Sequence, residues 1–285
     1  MKVLKGVRVL SLSLNLPGPA ALMRCKAMGA TCIKLEPPNG DPMGLYNPNA
    51  YEQLHLGVRI AKADLKTELG QRALYRELVQ TDVLLTSFRP SALKKLGLIW
   101  KDLHKQFPKL SVVAIVGAPG ARAEEPGHDL TYMAENDLIP GLDLPASLYA
   151  DMGGSLMATE AVLQAVLTRH SKNQGVYLEV ALSEAASYIG LPRTWGLTKP
   201  GAAVGGGHAG YRVYPCKDGR VAVAALEPHF AASLCALAGV KVESMKTLFS
   251  PQTHEAIAAW IARRTRKQLD VLALRHDIPL LTLEK

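Results

Sequence analysis

The chain has 285 residues, 48% hydrophobic and 20% charged, an ordinary globular composition with enough apolar material for one large core or two smaller ones. Its formal net charge of +8 favours anionic partners. The Lys and Arg residues are dispersed, and the one dense cluster, "ARRTRK" at 262–267, has no aromatic stacking array beside it, so nucleic-acid binding is not expected. Cys25, Cys32, Cys216 and Cys235 form no CxxC pair and no Cys/His set at zinc spacing, so no metal site is expected and a reduced, cytoplasmic setting is. The start of the chain lacks the order of a signal peptide, and no apolar run is long enough to span a membrane.

In chain order, "VRVLSLSL" at 7–14 is β-branched and apolar and reads as a strand. "PGPAALMRCKAMGA" reads as a Pro/Gly turn and a helix stopped by Gly29, and "TCIKLEPP" as a second strand ended by two prolines. These make one βαβ unit, with a right-handed crossover and a parallel pairing. A helix "ELGQRALYRELVQT", a strand "DVLLTSF", a helix "PSALKKLGLIWKDLHKQF" and a strand "LSVVAIVG" continue the pattern. The expected fold class is therefore α/β, with a doubly wound parallel-sheet domain over residues 1–190. Sheets of this kind bind ligands beyond the carboxyl ends of their strands, which gathers "NLPGP", "EPPNGDP", "SFRP" and "GAPGARAEEPGHD" on one rim. Neither GxGxxG nor GxxxxGK[ST] is present, so dinucleotide and nucleoside-triphosphate binding lose their usual support.

A helix follows in "ADMGGSLMATEAVLQAVLTRH", with Asp151 at or just before its N-terminus. Asp151 can be read as an N-cap, or with Gly153 and Gly154 as part of an oxyanion-stabilising helix start. His128, in a Pro/Gly loop, is open to two readings, an exposed polar residue or a base, and Asp129 can be the cap of the helix that begins near Leu130. Residues 191–212 are glycine-rich and read as a linker. "YRVYPCKDGRVAVAAL" is a hairpin about a Lys-Asp-Gly turn, and three helices complete a small α+β domain over 213–285.

The segments "LKGVRVLSLS", "PGP", "MGATCIKLEPPNGD", "DVLLTSFRPSALKKLGL", "PGHDLTYM", "ADMGGS", "VALSEAA" and "AALEPHF" occur in one order between Leu4 and Glu284. Together they resemble the class III CoA-transferase family, most closely its alpha-methylacyl-CoA racemase branch. The resemblance implies a Rossmann-like large domain joined to a small one, in an interlocked homodimer whose site lies between the large domain of one chain and the small domain of its partner. It implies an acyl-CoA thioester as ligand, with coenzyme A entering as part of the substrate and no permanently bound cofactor. Lys34 and Arg89 match positions at the CoA cleft, and Arg59 is the basic residue retained in "HLGVRIAKADLK". In the racemase branch the positions of His128 and Asp151 transfer protons, Glu227 pairs with the histidine and Asp129 lies in the site. The amides from Met152 to Gly154 would meet the enolate oxygen. In the transferase branch Asp151 would instead attack the thioester as a nucleophile, and a non-catalytic acyl-CoA-binding member is a third reading.

Four departures from the family pattern bear on activity. The basic pair before Arg59 is lost, Glu124 and Glu125 stand where an anion is expected, and Asp137 replaces a small residue. The family's return segment after "DIPLLTLEK" is not found, which implies incomplete interlocking, and there is no Ser-Lys-Leu-type peroxisomal ending.

Overall fold

The computed structural model describes residues 2–284, which fall into two compact units, 2–190 and 191–284. In the first unit the chain runs β1 (Arg8–Ser11), α1 (Pro17–Ala27), β2 (Thr31–Glu36), α2 (Met43–Tyr46), α3 (Pro48–Leu54), β3 (Arg59–Lys62), α4 (Glu68–Leu78) and β4 (Val83–Thr86). It continues through α5 (Pro90–Lys95), α6 (Trp100–Gln106), β5 (Ser111–Val116), α7 (Asp129–Glu135), α8 (Tyr149–Lys172), β6 (Tyr177–Ala181) and α9 (Leu182–Ile189). The six strands form one parallel sheet in the order β3-β2-β1-β4-β5-β6, the expected doubly wound arrangement.

Every residue of β4 and β5 is buried, as strands covered on both faces require. Alternation along the strands divides their side chains between two cores. Val9, Leu85, Val113 and Ile115 pack with Leu22 and Cys25 of α1 and with Ala158 and Val162 of α8. Leu10, Ile33, Leu84 and Val112 pack with Leu74 and Leu78 of α4 and Leu103 of α6. Helices thus cover both faces, and the strand order reverses between β1 and β4, which opens a crevice at the carboxyl ends of those strands.

The helix expected over 90–107 is two helices. Gly97 adopts φ +71° just beyond α5, a left-handed conformation that a helix cannot continue, and the chain restarts at Trp100. Strand β3 was not foreseen because "RIAK" has no apolar run, and it gains its place only by pairing with β2 at the sheet edge.

In the second unit, α10 (Leu191–Thr194) is followed by the antiparallel pair β7 (Tyr211–Cys216) and β8 (Gly219–Ala224), the hairpin read from "CKDG". After α11 (Pro228–Leu237), α12 (Pro251–Ala262) and α13 (Arg266–His276), β9 (Leu280–Leu283) pairs antiparallel with β8. Ala209, Tyr214, Val221, Leu234, Ile257 and Leu269 belong to its separate core. No helix among the described residues is long and apolar enough to cross a membrane.

The turn from β1 into α1 depends on one close approach. A Cβ at Gly18 would lie 2.1 Å from Ser13 Cβ and 2.5 Å from its Oγ, and Ser13 is fully buried. Gly18→Ala is therefore expected to destabilise the protein by about 1–3 kcal/mol in a urea titration, through overpacking against an atom fixed to the backbone. An unchanged midpoint would show that the turn can shift freely.

Candidate active site

The crevice at the strand reversal holds a cavity of about 310 Å³. The loop after β1 contributes Leu14, Asn15 and Pro17, and the loop after β4 contributes Ser87, Phe88 and Arg89. The loop after β5 contributes Gly127 and His128, while Tyr132 of α7 and Asp151 of α8 close the wall. The rim loops expected from the sequence thus bring His128, Asp151 and Arg89 to one cavity.

His128 is the N-cap of α7, with its amide donating to Thr131 Oγ1 at 3.0 Å. Its ring is exposed and lines the cavity. Gly127 is required just before it, since a Cβ there would lie 2.6 Å from the Tyr132 hydroxyl. Asp129, 5% exposed, does not cap its own helix: its Oδ1 accepts the Asp151 amide at 3.0 Å and so satisfies an amide in the first turn of α8. The residue expected as a cap, Asp151, is the third residue of α8. Burial pushes its carboxyl up from 3.8 to about 6, the Asp129 carboxylate adds to the rise, and His128 opposes it. The cavity therefore offers an exposed imidazole and a half-buried carboxyl that titrates close to neutrality.

The model of CoA-transferase family III matches residues 4–284. The chain belongs to this family. An alpha-methylacyl-CoA racemase of Mus musculus is 28% identical over 288 residues, covering 93% of this chain and 74% of the relative. A succinyl-CoA:glutarate CoA-transferase of Mus musculus is 28% identical over 254 residues, covering 79% of this chain and 57% of the relative. Among solved structures, a hypothetical protein of Mycobacterium tuberculosis aligns with a TM-score of 0.85 at 24% identity, covering 100% of this chain and 86% of that one. A CAIB/BAIF family protein of Brucella suis aligns with a TM-score of 0.84 at 22% identity, covering 100% and 84%. These structural likenesses show the fold.

Three family III expectations are corrected by position. Lys34 is not on the cavity wall: it is 0% exposed, on β2 between carboxylates, because alternation along a doubly covered strand turns it inward. Arg59 is the first residue of β3, at the amino end of the parallel sheet, where it and Arg8 of β1 share the Glu77 carboxylate. That end is opposite the rim. Gly153 and Gly154 serve helix packing: added Cβ atoms would lie 2.6 Å from Ile189 Cδ1 and 2.3 Å from Leu182 Cδ2 on α9. The Met152 amide is already bonded to the Leu148 carbonyl at 3.0 Å, so it is not free for an enolate oxygen. Glu227 lies in the second unit, exposed, at the N-cap of α11.

Two departures from the family pattern find local explanations. Glu124 accepts from the Ser91 amide at 2.6 Å and hydroxyl at 2.8 Å, which hold its carboxyl below the usual range, and Glu125 pairs with Arg122 at 3.0 Å. Asp137 follows the C-cap of α7 with φ +55°, a left-handed position that glycine usually fills and that Asp tolerates. Sequence reasoning missed Asn15 and Tyr132. Tyr132 had no usable signal, since His128 is the extended N-cap outside α7 and helical spacing does not relate the two side chains.

A second cavity, of about 850 Å³, belongs to the second unit and is lined by Trp260, Arg263, Arg264, Lys267, Gln268 and apolar residues. No carboxylate, imidazole or thiol is among its lining residues.

The raised Asp151 carboxyl has a measurable cost. Between 3.8 and about 6 the native residue holds a proton that the unfolded chain has released, so stability falls as pH rises through this window. The penalty is complete above about pH 6 and amounts to at most ~3 kcal/mol. Asp151→Asn, measured by denaturant titration, is expected to gain about 1–3 kcal/mol at neutral pH and nothing below about pH 4. A gain that does not change with pH would contradict this assignment.

Proposed function

We propose that this chain is an acyl-CoA racemase or epimerase that inverts the α-carbon of a 2-methylacyl-CoA thioester. The observation that carries the reading is the convergence of His128 and Asp151 on one cavity, with Asp151 raised to about 6. Inversion needs one group to remove the α-proton from one face and a second to return a proton to the other. A carboxyl that titrates near neutrality can begin as the acid, and a histidine is the side chain whose charge ordinarily changes in the same range.

The step balances without another reactant. Neutral His128 takes the α-proton, the C–H electron pair moves onto the thioester oxygen as the enolate, and the Asp151 carboxylic acid protonates the opposite face of the same carbon. This leaves an imidazolium and a carboxylate, the starting pair for the reverse direction. Asp129 raises the proton affinity of Asp151 and fixes its backbone through the amide bond. Arg89, on the cavity wall, supplies positive charge for the CoA phosphates. Glu227 is assigned on its motif alone, as the third carboxylate of the reaction.

A CoA-transferase reading is kept because the relatives include such enzymes. There the Asp151 carboxylate attacks the thioester carbonyl and CoA leaves as thiolate; the thiolate then attacks the Asp151 carbonyl of the mixed anhydride, the donor acid departs, and the resulting aspartyl-CoA thioester hands CoA to the acceptor carboxylate through a second anhydride, which frees Asp151.

Incubation with a resolved 2-methylacyl-CoA in D₂O separates the readings. The racemase incorporates deuterium at the α-carbon and loses stereochemical purity together, and Asp151→Asn and His128→Ala each slow both by a factor on the order of 10²–10⁴. Glu227→Gln tests the third residue in the same assay. Transfer of CoA to an added carboxylate without α-exchange would sink the racemase and establish the transferase. CoA binding with neither reaction would leave the non-catalytic member.

A further inference from the structure

Strand β2 reads Thr-Cys-Ile-Lys-Leu-Glu, and its alternation sends Lys34 and Glu36 to the side opposite Ile33 and Leu35. A lysine with no exposed surface is tolerated only when its charge is paired and its ammonium hydrogen-bonded. Lys34 hydrogen-bonds Asp41 Oδ2 and, at 2.9 Å, His55 Nε2, and forms an ion pair with Glu36, whose Oε1 lies 3.2 Å from its Nζ. His55 Nδ1 lies 2.7 Å from the Tyr51 carbonyl, so Nδ1 donates there and Nε2 accepts from Lys34. Burial, then the Lys34 charge, lowers the proton affinity of this imidazole, in keeping with a neutral acceptor. The Tyr51 hydroxyl donates to Glu36 Oε1 at 2.9 Å. Ligand atoms of Glu36, Asp41 and His55 lie within 4.8 Å of one another, all buried, an arrangement that suits a metal ion. Here an ammonium occupies its centre.

The cluster is joined to the cavity through Asp41. Its two carboxylate oxygens accept the Asn15 amide at 3.1 Å each, and Oδ1 also accepts the Met43 amide at 2.9 Å. Asn15 stands at φ +62°, a conformation that side-chain-bearing residues seldom adopt, and it lines the cavity beside Leu14. Its side-chain oxygen accepts from the Tyr46 hydroxyl at 3.3 Å. Neither Lys34 nor Asp41 lines the cavity, yet the Asn15 amide is bonded to one of them.

We propose that Lys34 is a positioning residue of the acyl-CoA site: its buried ammonium fixes Asp41, Asp41 clamps the Asn15 amide, and the clamp sets the β1–α1 wall of the cavity lined by His128 and Asp151. The inference rests on the acyl-CoA reading for its catalytic consequence, whereas the clamp itself is observable without turnover.

The experiment uses the full chain and Lys34→Ala, with amide hydrogen exchange at residues 13–16 and α-proton exchange of the substrate measured on the same samples. The variant is expected to lose protection at Asn15 while β4 and β5 stay protected, and to lose about 10- to 100-fold in kcat with a smaller change in KM, since misplacement of a site wall costs the reacting geometry. Zn²⁺ is then expected to restore both readouts in part, because Glu36, Asp41 and His55 regain a central cation, and to leave the wild type unchanged. Should Lys34→Ala fail to fold, Asp41→Asn is measured instead; it keeps the size of the side chain but cannot hold the ammonium and both bonds to Asn15, and the same losses are expected without zinc rescue. Unchanged protection at Asn15 in a folded variant, or lost protection with unchanged kcat, overturns the inference. Lost protection restored by zinc in a protein whose wild type catalyses no α-exchange keeps the clamp and removes the racemase reading.

Discussion

The first unit is organised by the need to bury a parallel sheet on both faces. Once β4 and β5 are apolar throughout, helices must cover each side, and right-handed crossovers then force the strand order to reverse between β1 and β4. The reversal separates the loops after these strands and leaves space at their carboxyl ends. Each element of the candidate site is a consequence of this opening: Asn15 from one side, Arg89 from the other, His128 from the loop after β5, and Asp151 from the helix that packs beneath.

Two buried acids do different work around this opening. Asp129 satisfies the Asp151 amide at the start of α8, and its charge, after burial, drives the Asp151 carboxyl toward neutrality. Asp41 holds the Asn15 amide and is itself held by Lys34. In both cases a buried carboxylate fixes backbone at the cavity wall, a geometry that costs stability and leaves the reacting groups little freedom to move.

The fold class was legible because apolar runs of four to six residues alternate with amphipathic segments, and glycine and proline mark the joints. The two misreadings have different causes. Gly97 was passed over inside a helical pattern, although its left-handed backbone divides that helix, and "RIAK" had no local sign of the pairing that makes it a strand. The candidate site was legible in "GHD", "ADMGG" and "SFRP" as motifs, yet motifs carry residue types without orientation. Lys34 and Arg59, expected at an anion cleft, line no part of the cavity that holds His128 and Asp151.

The sequence by itself determined the alternation of strands and helices through most of the parallel-sheet unit, the family, and the residue types available for proton transfer, since these follow from periodicity and from motifs local in the chain. Tertiary structure decided which of those residues meet. Strand register put Lys34 inside and Arg59 at the amino edge, α9 claimed Gly153 and Gly154, and Asp129 found its partner 22 residues away in Asp151. Each outcome depends on which face or end of an element is covered by a neighbour distant in sequence, and no local pattern encodes that neighbour.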